Sequence, residues 1–152
     1  MMIVAVSFVA LPVGAQAGGG VSTGGGNGGR DSKSVDPSSI SGVSRSYAKF
    51  ASIVSSKTGL SARVVAGWTL AEGGPKDNPL NLGPGERYGT VNRGARATVR
   101  NLRGDLYRKV LRSASRSDMK QIDAIVASPW CYRCKGYKRL LKSTYSRVSV
   151  DE

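Results

Sequence analysis

Histidine is absent from the 152 residues, so no Ser-His-Asp or Cys-His triad and no zinc site built on imidazole can be assembled. Proton transfer then falls chiefly to carboxylates, and these are few. Of the three glutamates, Glu152 stands in the terminal Asp151-Glu152 pair and Glu86 in a Gly-rich loop. Glu72 differs in kind, because it ends the segment ARVVAGWTLAE and shares a face with Val65, Trp68 and Thr69 when that segment is helical. The negative end of the helix dipole and a partly apolar wall both disfavour a charged carboxylate at such a place, which suits a general acid. A solvated carboxylate that merely ends the helix, or one paired with an arginine, is the plainer reading. The nearest second carboxylate in sequence is Asp77, which in Pro75-Lys76-Asp77-Asn78-Pro79 also reads as a turn-forming aspartate.

The elements that must position these groups are helices. Ser61 can cap ARVVAGWTLAE and Gly73-Gly74-Pro75 stops it. Upstream, Val43, Tyr47, Phe50 and Val54 recur at helical spacing, which predicts a helix over 43–57 ended by Gly59. Asn92 reads as the cap of a helix through Ala95, Val99 and Leu102, and the Gly104-Asp105 break separates it from Leu106, Tyr107, Val110 and Leu111. Ser117 can cap DMKQIDAIVAS, with Met119, Ile122, Ile125 and Val126 as the buried stripe and Pro129 as the stop, and a last helix runs from Tyr137 through Leu140 and Leu141 to Tyr145. The expected fold is mainly α: a small helical domain around one core, with at most a short β-hairpin in the 79–91 loop. That loop belongs to GGPKDNPLNLGPGERYG, a stretch long for a chain of this size and of a kind that often carries function.

The string Trp68-Thr-Leu-Ala-Glu72-Gly-Gly, followed by Asn78-Pro79-Leu80-Asn81-Leu82-Gly83, resembles peptidoglycan-cleaving domains of the lysozyme-like superfamily, which includes lytic transglycosylases and phage-type muramidases. In that pattern a helix ends in the catalytic glutamate, a loop of the "NPLN" or "NLFG" type follows, and a further helix carries an Ala, Thr, Leu and Tyr series. Here that series reads Ala97, Thr98, Leu102 and Tyr107, and the tail from Ile125 to Trp130 is also similar. The likeness covers roughly 45–145. It departs in having Gly73 after Glu72, where the best-known transglycosylases have serine, and in lacking their downstream Gly-Leu-Met-Gln string.

The resemblance implies a lysozyme-like fold and cleavage of the β-1,4 bond between N-acetylmuramic acid and N-acetylglucosamine, with Glu72 protonating the glycosidic oxygen. Asp77 would act as base for a hydrolytic water or stabilise the oxocarbenium centre. Without a second carboxylate, the substrate's own hydroxyl would attack and leave an anhydro product. Asn78 and Asn81 would offer amides to the sugar, or only hold the turn. Tyr88, Trp130, Tyr132 and Tyr137 are placed in or beside loops where sugars could stack, core packing being the competing account; Trp68 and Tyr107 are expected in the core or the cleft wall. No cofactor or metal is implied.

Cys131 and Cys134 form a CxxC behind Trp130. Only 18 residues follow Cys134, too few for a thioredoxin fold, and two cysteines without histidine cannot complete a zinc site. A local disulfide bracing the loop before the last helix is the simplest expectation for an exported chain.

Export itself is read from residues 1–17, an apolar run ending in the small-x-small triplet Ala15-Gln16-Ala17 and too short to span a bilayer. It lacks the basic residues usual ahead of a signal core, so a mis-assigned start or a buried N-terminal strand competes. Residues 18–42 are Gly/Ser-rich and read as a flexible linker, leaving 43–150 as the catalytic domain. The expectation is a secreted or wall-associated monomer with no stable membrane insertion after cleavage.

Within 43–150, 21 Lys+Arg stand against six acids, a net +15. Arg93, Arg96, Arg100 and Arg103 fall on one helix face. Such a surface would gather the protein on anionic cell-wall polymers around the peptidoglycan glycan strands. The rival readings are a non-catalytic cationic protein that binds nucleic acid or wall polymer through this face, and an antimicrobial cation whose charge alone does damage.

Overall fold

The computed structural model describes residues 34–83, 85–131 and 134–151. The proposed export segment 1–17, the first part of the 18–42 linker and Tyr132 lie outside the described residues.

Six α-helices form among the described residues: α1 (Arg45–Thr58), α2 (Ala62–Glu72), α3 (Val91–Leu102), α4 (Arg108–Arg112), α5 (Asp118–Val126) and α6 (Tyr137–Ser146). Short 3-10 turns at Pro37–Ser39, Asp105–Tyr107 and Pro129–Cys131 link them to their surroundings. The fold is thus mainly α, as composition and periodicity indicate. The one strand pair among the described residues lies away from the 79–91 loop: β1 (Ile40–Ser41) runs antiparallel to β2 (Ser149–Val150), joining the two ends of the described chain.

α2 is the central element, packed between α1 and α6. Local chemistry sets both its ends, as the Ser61 hydroxyl accepts the Val64 amide and Gly73 closes the helix in the left-handed region at φ 61°. Val64, Val65, Ala66, Trp68 and Thr69 are all buried, and Trp68 and Phe50 of α1 are the largest enclosed side chains. Burial of a side chain of that size stabilises the fold by about 1.5–3 kcal/mol. On the α6 side, a Cβ at Gly67 would stand 2.8 Å from the Tyr145 Cα, so the two backbones meet where only glycine fits.

Four expectations change. The folded region begins upstream of residue 43: Ile40 is buried, Val35 packs on the core, and its carbonyl accepts from the Ser52 hydroxyl at 2.6 Å. The flexible 18–42 linker therefore gives way before its end to chain held by β-pairing and apolar contact. α3 starts at Val91 with Thr90, not Asn92, as its cap; the Thr90 hydroxyl accepts the Arg93 amide. Asn92 is instead exposed within the first turn. In α5, Met119 faces solvent at 38% exposure while Gln121 is buried at 2%. Gln121 succeeds there because every polar atom is used: Oε1 accepts the Ser61 amide at 2.8 Å, and Nε2 donates to the Ala114 and Arg116 carbonyls at 3.2 and 3.0 Å. Finally, Ser117 stands at the start of α5 but makes no side-chain cap bond.

Candidate active site

Glu72 is the last residue of α2 and is half-buried. Trp68 lies one turn earlier on the same face, and Tyr137, the first residue of α6, crosses in front of both. Trp68 Nε1 donates to the Tyr137 hydroxyl at 3.0 Å, and that hydroxyl donates in turn to Glu72 Oε1 in a very short contact. Burial pushes the Tyr137 phenol far above its usual range, and the negative charge of Glu72 adds to the push. Tyr137 is therefore a fixed donor at any physiological pH, and it pins one oxygen of Glu72. Trp130 packs edge-on against Trp68 with ring centroids 4.6 Å apart, and Tyr107 packs edge-on against Trp130 at 5.5 Å. The aromatic row backs the carboxylate from α2 across to the turn before α4.

The loop after α2 is closed from inside by two adjacent side chains. Asp77, 1% exposed, accepts from Arg87 Nε at 2.8 Å and from the Tyr88 and Gly89 amides at 2.8 and 2.7 Å. Desolvation by itself would raise its carboxyl; the Gly89 amide and the Arg87 guanidinium outweigh it, and the group titrates below the ordinary aspartate range. Asn78 Oδ1 accepts the Leu82 amide at 2.8 Å, while Nδ2 donates to the Leu82 and Glu86 carbonyls at 3.0 and 3.1 Å. At the mouth of the loop the Tyr47 hydroxyl donates to the Gly74 carbonyl at 2.5 Å, and the Gly74 amide donates to the Pro79 carbonyl at 3.0 Å. α3 is pressed on the loop so closely that a Cβ at Gly94 would fall 1.9 Å from the Asp77 carbonyl oxygen.

The expected site residues thus fall into separate groups. Glu72 and Tyr137 are brought into direct contact, and Tyr107 stands in the aromatic row behind them. Asp77 and Asn78 both face the loop: each Asp77 oxygen already accepts at least one donor from it, the arrangement expected of a turn-forming aspartate. Asn81 is exposed, with left-handed backbone at φ 53°. Tyr88 is half-buried, its hydroxyl 3.5 Å from the Leu82 carbonyl. Cys131 and Cys134 form the expected disulfide, directly behind Trp130. Two contacts are not foreseeable from the sequence, the donation from the Trp68 indole to Tyr137 and the pairing of Arg87 with Asp77. Neither contact is local enough to leave a spacing signal.

Among the described residues no three His, Cys, Asp or Glu side chains gather as a metal site, and no helix is long and apolar enough to cross a membrane. No protein-family model, curated protein or solved structure matches the chain.

Proposed function

We propose that the chain is an exported, lysozyme-like glycosidase of peptidoglycan, with Glu72 as its general acid. The observation that carries this reading is the Trp68–Tyr137–Glu72 relay, which fixes one carboxylate oxygen and leaves the side chain half-exposed beside an aromatic wall. A general acid needs that combination of a set orientation and access to the leaving oxygen. In the proposed reaction the Glu72 carboxyl gives its proton to the glycosidic oxygen between N-acetylmuramic acid and N-acetylglucosamine, the C–O bond breaks, and positive charge develops at the anomeric carbon.

The state of Asp77 bears on the second half-reaction. A carboxylate whose oxygens are held by Arg87, Tyr88 and Gly89 is not available to activate water. The route that asks for no second carboxylate is attack by the muramoyl 6-hydroxyl, whose proton returns to the Glu72 carboxylate, giving a 1,6-anhydro end. The test is digestion of purified peptidoglycan by wild type and Glu72→Gln, with the soluble fragments identified by mass. Wild type should release anhydro-ended muropeptides and Glu72→Gln none. The same fragments from both proteins would remove Glu72 from the chemistry, and reducing ends would replace the intramolecular route by hydrolysis.

A further inference from the structure

The arginine face of α3 is part of a built groove. Arg96, Arg100 and Arg103 line a cleft of about 380 Å³ between α3 and α1, together with Lys57, and its floor is apolar, made by Ile53 and Val99. All four cations are exposed, whereas Val99 is buried and Ile53 half-buried. Arg103 is drawn across the cleft, its guanidinium donating to the Lys57 carbonyl at 3.2 Å, so one wall is tied to the other. No lining residue is acidic and none is aromatic. Arg93, the fourth arginine of that helix face, does not line the cleft.

We propose that this groove binds a linear polymer of phosphodiester-linked polyols. Such a chain alternates a single negative charge with a short carbon link, and the groove sets exposed guanidinium heads, with Lys57 and Asn92, above the aliphatic side chains of Ile53 and Val99. Arg96 and Arg103 are seven residues apart, about 10.5 Å along the helix. That length engages the charges of an extended chain in series. Guanidinium groups pair with phosphate oxygens in two-pronged geometry, and an uncompensated row of them concentrates a polyanion strongly at low salt. A nucleic acid strand offers the same phosphates but also bases, which single-strand binders hold on aromatic platforms that this groove lacks. The assignment is independent of Glu72 and stands or falls apart from the glycosidase reading.

The experiment is equilibrium binding of the full chain to poly(glycerol phosphate), with oligothymidylate and polyglutamate of equal charge number as competitors, at several salt concentrations. Wild type should bind poly(glycerol phosphate) about tenfold more tightly than either competitor, with affinity falling steeply as salt rises. Arg96→Glu/Arg100→Glu should weaken it by a further factor of about ten or more and flatten the salt dependence. Arg112→Glu/Arg116→Glu, which makes the same charge change at exposed positions outside the groove, should cost less than about threefold. Equal losses in the two double variants would reduce the effect to net charge and overturn the proposal, as would oligothymidylate or polyglutamate binding as tightly as the polyol phosphate. Far-UV circular dichroism checks the fold, and Arg96→Gln/Arg100→Gln repeats the test should charge reversal unfold α3.

Discussion

Glu72 and Asp77 are five residues apart, and the fold treats them in opposite ways. Asp77 is surrounded: a guanidinium and two backbone amides occupy its oxygens, and it is almost wholly buried. Glu72 is touched by one hydroxyl on one oxygen and stays half-exposed. A carboxylate that closes a loop must have its charge met on every side, since any unmet buried charge is expensive. A carboxylate that exchanges protons with a substrate must keep one oxygen free. The difference teaches that, in a chain so poor in acids, proximity in sequence is a weak guide to shared chemistry.

The strongest way to break this contrast is to exchange the effects of the two acids. Glu72→Gln keeps an amide oxygen for Tyr137 and should change stability by less than about 1 kcal/mol. If Glu72 is the proposed general acid, it should also lower peptidoglycan cleavage by about 10²–10⁴-fold, the range general acids contribute. Asp77→Asn should do the reverse, lowering the thermal midpoint on the order of 10 °C. Cleavage per folded molecule, measured well below that midpoint, should stay within a few-fold of wild type. If Asp77→Asn abolishes cleavage in a fully folded protein, the contrast fails and Asp77 belongs in the mechanism.

The pH dependence follows from the same contacts. The Asp77 carboxyl is depressed in the folded state below the roughly 3.9 of an unfolded aspartate. Its contribution to stability is therefore fully present above that value and is lost as pH falls through the folded value. Denaturation midpoints measured from neutrality into acid should drop in that window for wild type and drop less for Asp77→Asn. The packing behind Asp77 gives a prediction of reversed sign. In an ordinary helix Gly→Ala stabilises by about 1 kcal/mol, but at Gly94 the new methyl meets the Asp77 carbonyl oxygen, so Gly94→Ala should destabilise by about 1–3 kcal/mol. A gain in stability would show that the loop is free to move off α3.

How legible these two acids were in the sequence follows from the range of their contacts. α2 was readable to the residue because Ser61 and Gly73 act within one turn of its ends, and its periodicity placed Glu72 beside Trp68. The partner that orients Glu72 was not readable, because Tyr137 is 65 residues away and only the crossing of α6 over α2 brings it in. Asp77 was readable as a turn-former but not as the centre of a three-donor cage, since two of its donors are backbone amides that carry no sequence signal. The cap of α3 is Thr90 and not the expected Asn92 for a related reason: the turn anchored on Asp77 delivers the chain into the helix at Thr90. Ile40 and Val35 are hidden in a Gly/Ser-rich stretch because both are held by distant partners, Ile40 by pairing with Val150 and Val35 by the core and the Ser52 hydroxyl of α1. The disulfide needed only four residues and a simple rule.

Two smaller effects sharpen the Glu72 side. Tyr137→Phe leaves the buried Trp68 Nε1 without its acceptor, a loss of about 1–3 kcal/mol, and frees Glu72 from its only side-chain donor among the described residues. A positioning role predicts that kcat falls while KM holds, and that Trp68→Phe, which keeps Tyr137 on Glu72, loses much less of kcat. Reduction of Cys131–Cys134 should matter least to stability, at most about 2 kcal/mol, because the loop it closes is so short. Its interest lies in Trp130, the neighbour of Cys131, whose ring stands against Trp68. A wall held mainly by the packing of Trp68, Trp130 and Tyr107 should survive reduction with cleavage unchanged. Loss of cleavage from a reduced, fully folded protein would mean instead that the disulfide holds the aromatic wall in register with the acid.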